Sequence, residues 1–115
     1  MSDVTVYEKR TCTTCRQLSE LLTERGIDFD RVEYHVEGLP EPKLRELLRK
    51  AGARPIDVLR CREPLVEQLG ITDAMPDDAL VALMVEHPQL VQRPIVERGD
   101  RAVLARPVER VLEIL

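Results

Sequence analysis

The hydrophobic period changes once near the start of the chain, and that change restricts the folds open to it. Val4-Thr5-Val6-Tyr7 alternates as a half-buried strand does. Cys15, Leu18, Leu21 and Leu22 then recur at helical spacing, and Gly26 stops the helix. At the junction stands the run Thr11-Cys12-Thr13-Thr14-Cys15. From Asp28 to Tyr34 the alternation returns, with Phe29 and Val32 as its apolar members, so a second strand is expected. Strand, helix and strand in this order form a crossover unit, and a right-handed crossover makes the two strands parallel.

The middle of the chain reads as helical. Leu44, Leu47, Leu48 and Ala51 fall at i, i+3, i+4 and i+7, after Pro40 and Pro42 and before Gly52. Ile56 to Leu59 is a short apolar turn, and Leu65, Val66 and Leu69 form a short helix closed by Gly70. Leu80, Leu83 and Met84 form another, with Asp77 as the expected N-cap and Pro88 beyond its end. Strand patterns then resume: Pro94-Ile95-Val96 and Ala102-Val103-Leu104 flank Gly99-Asp100, a loop suited to a type II′ hairpin. Pro107 is placed for the first turn of a last helix through Val108, Val111, Leu112 and Leu115. The sum is an α/β chain, β-α-β then β-β-α. That is the order of a thioredoxin-like fold with a four-stranded mixed sheet, here with a helical insertion over roughly residues 40–88 of a single domain, 1–115.

Composition excludes several classes of function. Aromatic residues are 3% of the chain and Trp is absent, so the core must be aliphatic and no base-stacking platform is available. A net charge of -4 gives no general attraction to nucleic acid or anionic membrane. No segment approaches the ~20 apolar residues of a membrane span. The N-terminus enters a strand directly, without a basic or apolar leader, and the cysteines number three. Reduced thiols and a cytoplasmic location are therefore expected. The acidic, aromatic-poor composition carries no oligomer signal, and a monomer is expected.

Cys12 and Cys15 sit where unpaired backbone N–H groups and the positive end of a helix dipole favour thiolate over thiol. Cys12 is expected to be the more exposed nucleophile. Cys15, one turn on, is its resolving thiol or its disulfide partner. Two ordinary cysteines, one buried as a small hydrophobe, are the competing reading, and position and spacing together favour redox chemistry. Thr11, Thr13 and Thr14 leave backbone N–H groups accessible, and Arg10 and Arg16 add positive charge. A structural zinc site needs four ligands, whereas Cys61, His35 and His87 are scattered, so no metal is expected. Cys61 is expected to be a partly buried bystander rather than a third redox thiol. His35 reads as a solvated loop residue and His87 as a helix-end residue, with no cysteine–histidine dyad.

Arg60, Arg93 and Arg106 each interrupt an apolar or turn context, and forked N–H donors suit a tetrahedral oxyanion. Pattern alone does not single them out among 17 basic residues. Together, though, Cys12 at the first strand–helix turn, Arg60, His87-Pro88, Arg93-Pro94-Ile95-Val96 and Arg106-Pro107 resemble the ArsC/Spx/YffB family. Its members are thioredoxin-fold proteins with a helical insertion. The resemblance spans essentially the whole chain.

It implies an arsenate reductase-type thiol oxidoreductase. In that reading Cys12 attacks arsenate or a glutathione mixed disulfide, Arg60, Arg93 and Arg106 hold the oxyanion, and Pro94 follows a cis bond. Glutathione is then the co-substrate, glutaredoxin or thioredoxin the electron donor, and no cofactor is bound. Two positions depart from the arsenate reductases: Cys15 stands where they usually have Ser, and Glu8 where they tend to have His. A Cys-x-x-Cys at this turn is instead what Spx-type regulators carry. The alternative reading is accordingly a redox-sensing regulator that binds RNA polymerase through a Cys12 and Cys15 switch.

Overall fold

A computed structural model describes residues 3–9 and 11–115. Its four strands are β1 (Val4–Glu8), β2 (Asp30–Glu33), β3 (Ile95–Arg98) and β4 (Arg101–Leu104). They form one mixed sheet in the order β2-β1-β3-β4. β1 runs parallel to β2, linked through helix α1 (Thr13–Glu24), and antiparallel to β3, which pairs antiparallel with β4. This is the thioredoxin-like arrangement. Gly99 takes φ +58 and lets a two-residue loop pair Arg98 with Arg101.

The strand pleat separates two cores. Val4, Val6, Val96 and Val103 face one side, where Leu18 and Leu22 of α1 meet Val111 and Ile114 of the C-terminal segment. Tyr7, Ile95 and Ala102 face the other, against Leu44, Leu47 and Leu48 of α3 (Glu41–Ala51) and Leu80, Val81 and Met84 of α5 (Asp77–Glu86). Burying each of these leucines contributes about 2 kcal/mol. The helical stretch between β2 and β3 thus closes the sheet face opposite α1.

Some local expectations need correcting. β2 ends at Glu33, and the chain turns into the short helix α2 (Tyr34–Glu37). Tyr34 leaves the strand because it is drawn fully inside, where its hydroxyl donates to the Val91 carbonyl at 2.7 Å. Pro76, not Asp77, occupies the cap position of α5, and no side chain caps it. Between α3 and α5 lie a 3₁₀ turn (Pro55–Val58) and α4 (Pro64–Gln68). The final segment is a 3₁₀ helix (Val108–Glu113), with Pro107 just before it. The Arg93-Pro94 and Arg106-Pro107 bonds are both cis.

One buried charge fastens α3 to the sheet. Glu97 of β3 accepts from Tyr7 Oη at 3.0 Å, from Lys43 Nζ at 2.8 Å and from Lys50 Nζ. Burial opposes its ionisation, but these three donors prevail and hold the carboxyl at about 2, against an ordinary 4.5. A depressed folded-state value stabilises fully above the unfolded value and progressively less as pH falls towards 2. Glu97→Gln is expected to lower stability at neutral pH by about 2 kcal/mol, because Lys43 and Lys50 keep only the Glu46 carboxylate and lose their charged partner on the sheet. The variant should also lose less stability than the parent between pH 5 and 2. Matched urea midpoints of variant and parent at neutral pH would contradict this assignment.

Candidate active site

Cys12 is the N-cap of α1, in extended conformation (φ -78, ψ 125). Its Sγ accepts the backbone N–H of Cys15 at 3.4 Å, taking the place of the usual capping oxygen. Its own N–H donates to the Lys9 carbonyl at 3.0 Å, which pins the turn leaving β1. No acidic residue lies in the first helical turn. Burial pushes the Cys12 thiol up. The Cys15 thiol and N–H, the nearby Arg93 charge and the Thr14 N–H outweigh it, and the net direction is down.

Cys15 is the opposite case. It is 1% exposed, and burial, donation to Cys12 and the charges of Cys12 and Glu8 push its thiol up to about 12. The pair is therefore biased in opposite directions, Cys12 towards thiolate and Cys15 towards the protonated donor. Both remain free thiols.

The arginines reach Cys12 through a short pairing at the edge of the helical region. Leu59 and Val91 form an isolated antiparallel bridge. Arg60 N donates to Leu90 O and Gln92 N to Val58 O, each at 2.8 Å. This sets Arg60 beside the segment that carries Arg93. Arg106 follows β4, and its Nη1 donates to the Arg93 carbonyl at 2.8 Å. The result is a cleft of about 600 Å³ lined by Thr11, Cys12, Thr13 and Thr14 on one side. Arg60, Cys61, Arg62, Gln92, Arg93 and Arg106 line the rest of it. Arg93 is 8% exposed, and its Nε and Nη1 have no partner among the described residues. A buried guanidinium with unspent donors at a cleft wall is suited to an anion.

Cys12, Thr11, Arg60, Arg93 and Arg106 thus share one cleft, and Pro94 is buried behind Arg93 in sequence. Arg16 is not in the cleft: it is exposed on α1 and lines a separate groove with Glu8, Cys15, Ser19, Glu20 and Arg31. Arg10 lies outside the described residues. Glu8 is buried, 3.5 Å from Arg31, and burial raises its carboxyl above the ordinary value. Its charge acts on the Cys15 thiol rather than appearing among the main influences on Cys12.

Sequence reasoning missed Gln92 and Arg62 and misjudged Cys61, which is exposed rather than partly buried. The available signal was adjacency, since each flanks an arginine already singled out. His35 is no solvated loop residue either. It sits in α2 against the Tyr34 ring at 4.7 Å, with its Nε2 buried and without a partner among the described residues. Burial and then the charges of Arg93, Lys9 and Arg60 hold it below its ordinary value.

Sheet order, a cysteine cap and a cleft of guanidinium groups define a thioredoxin-fold protein in which a cysteine lines the same cleft as several arginines. The chain belongs to the ArsC family, whose profile matches residues 7–114. It is 34% identical to the arsenate reductase of Escherichia coli (strain K12), over 100% of this chain and 82% of that protein. It is 33% identical to the uncharacterized protein YfgD of the same organism, over 97% and 96% of the two chains. The arsenate reductase from Vibrio cholerae superposes with a TM-score of 0.91 at 35% identity, covering 97% of each chain.

The division of labour between the two thiols has a direct readout. The pH dependence of Cys12 alkylation by iodoacetamide should show an inflection below that of an unperturbed thiol. Cys15→Ser and Arg93→Ala should each move the inflection upward. Coincident profiles for all three proteins would contradict the assignment.

Proposed function

We propose that this protein reduces arsenate, with Cys12 as the nucleophile and Arg60, Arg93 and Arg106 as the oxyanion clamp. The observation that carries the reading is the meeting, in one cleft, of a thiol biased towards thiolate and a buried guanidinium whose Nε and Nη1 have no partner among the described residues. Cys12 Sγ attacks arsenic, an oxygen departs as water with the help of a proton, and an As–S bond forms. The arginines hold the oxyanion charge through this step, as preorganised donors do when charge is rearranged.

A second thiolate then attacks Cys12 Sγ. The S–As electron pair goes to arsenic, which leaves as arsenite, and a disulfide forms. Overall two thiols lose two electrons and As(V) gains two. Cys15 is the thiol already in contact with Cys12. Burial is the main influence that keeps Cys15 protonated, and its hydrogen bond to Cys12 and the Cys12 charge add to it. Bonding Cys12 to arsenic removes the latter two, so Cys15 becomes easier to ionise at the step that needs it. The resulting disulfide between Cys12 and Cys15 is a substrate for thioredoxin. Glutathione with glutaredoxin serves the same chemistry when glutathione, not Cys15, is the second thiol. A switch acting on RNA polymerase needs only the cysteine pair, and the arginine-lined cleft beside it favours the enzyme.

The test is arsenate-dependent NADPH oxidation, coupled separately to thioredoxin and to glutathione with glutaredoxin. Turnover is expected with thioredoxin and none with Cys12→Ser. Arg93→Ala should lower kcat/KM by roughly 10²-fold to 10³-fold. Cys15→Ser should abolish the thioredoxin-coupled rate and keep the glutathione-coupled one. No turnover with either donor at saturating arsenate sinks the reading, and an unchanged donor preference in Cys15→Ser sinks the role given to Cys15.

A further inference from the structure

Two cysteines line the cationic cleft, and the second is Cys61, not Cys15, which lines the groove with Glu8 and Arg31. Cys61 is exposed, in the turn between Arg60 and Glu63 that a 3.0 Å backbone hydrogen bond closes. Its thiol donates weakly, at 3.6 Å, to the Leu59 carbonyl, which Gln92 Nε2 also reaches at 3.1 Å. The turn is therefore fixed to the wall that carries Arg93. Among the described residues the lining contains four arginines, Arg60, Arg62, Arg93 and Arg106, and no Asp or Glu. Arg93 lines it with its Nε and Nη1 buried and without a partner among the described residues.

We propose that Cys61 is a modification site for an anionic low-molecular-weight disulfide of the glutathione class. Each half of glutathione disulfide carries two carboxylates and one ammonium group. Its net negative charge matches the guanidinium lining, and its carboxylates suit the unused donors of Arg93. The Cys61 thiolate attacks one sulfur of the disulfide, and the S–S bond breaks. One half leaves as a thiolate while the other stays as the Cys61 mixed disulfide. The Cys61 proton goes to solvent, one disulfide is exchanged for another, and no further oxidant is needed. The attached tripeptide occupies the space that an oxyanion would use, so the cellular thiol–disulfide balance would gate the cleft. The site rests on the cationic cleft but not on arsenate as substrate.

Glutathione disulfide is added to the Cys12→Ser chain, and intact mass with peptide mapping follows the adduct. Cystamine, a cationic disulfide, is run in parallel. One glutathionyl group is expected, on Cys61, and none on Cys12→Ser/Cys61→Ser. At low salt the glutathione disulfide reaction should be at least about tenfold faster than the cystamine reaction, with the gap narrowing at high salt. Inorganic phosphate should slow the first reaction and leave the second unchanged. The proposal is overturned by an unmodified Cys61, by equal rates for the two disulfides, or by phosphate that slows neither. Peptide mapping of the parent chain, where Cys12 and Cys61 fall on separate peptides, gives the Cys61 result if Cys12→Ser folds poorly. None of these readouts involves turnover, so inactivity towards arsenate and failure of this proposal are separable.

Discussion

The Arg93 guanidinium is buried while its Nε and Nη1 have no acceptor among the described residues. Removing such a cation from water costs roughly several kcal/mol unless anions compensate it. The fold supplies part of that compensation through the thiolate character of Cys12, which the Arg93 charge helps to create. A bound oxyanion would supply the rest. The two partners come from opposite ends of the chain, one capping the helix after β1 and the other just ahead of β3. The β1–β3 pairing, Tyr7 with Ile95, brings those ends together.

Supporting features follow the same logic. The bridge between Leu59 and Val91 brings Arg60 to the cleft from the helical region, and the Arg106 contact with the Arg93 carbonyl ties in the segment after β4. Tyr34 gives up its place in β2 to brace Val91. Burial and the Arg93 charge disfavour protonation of His35 beside this cluster. Glu97, on the far side of the same strand system, is satisfied by its own lysines. It fixes α3 without drawing on the arginines.

Much of this was legible in the sequence because it is local or periodic. The strand-to-helix change at Cys12 located β1 and α1, and the Leu44, Leu47, Leu48 spacing located α3 and its buried face. The Gly99-Asp100 hairpin followed from turn chemistry. What stayed hidden depends on long-range contact. Tyr34 reads as a strand residue until the Val91 carbonyl is seen to claim its hydroxyl. Glu97 looks like an outward strand charge, yet it faces Lys43 and Lys50, more than forty residues away. The three arginines of the clamp stood out only through family resemblance, since no periodicity marks them. Cys61 and Gln92 lay beside those arginines, but nothing in the sequence says which side of a turn faces a cleft. Arg16 shows the converse: near Cys12 in sequence, it falls on the other side of the helix.

The central claim is that a buried guanidinium beside Cys12 awaits an anion, and equilibrium binding tests it without any chemistry. Isothermal titration of the reduced Cys12→Ser chain with arsenate should give one site. Arg93→Ala added to that background should weaken the site by at least about 30-fold, equivalent to about 2 kcal/mol for a buried charged donor. Equal affinity with and without Arg93, or no saturable site in the Cys12→Ser chain, would contradict the account.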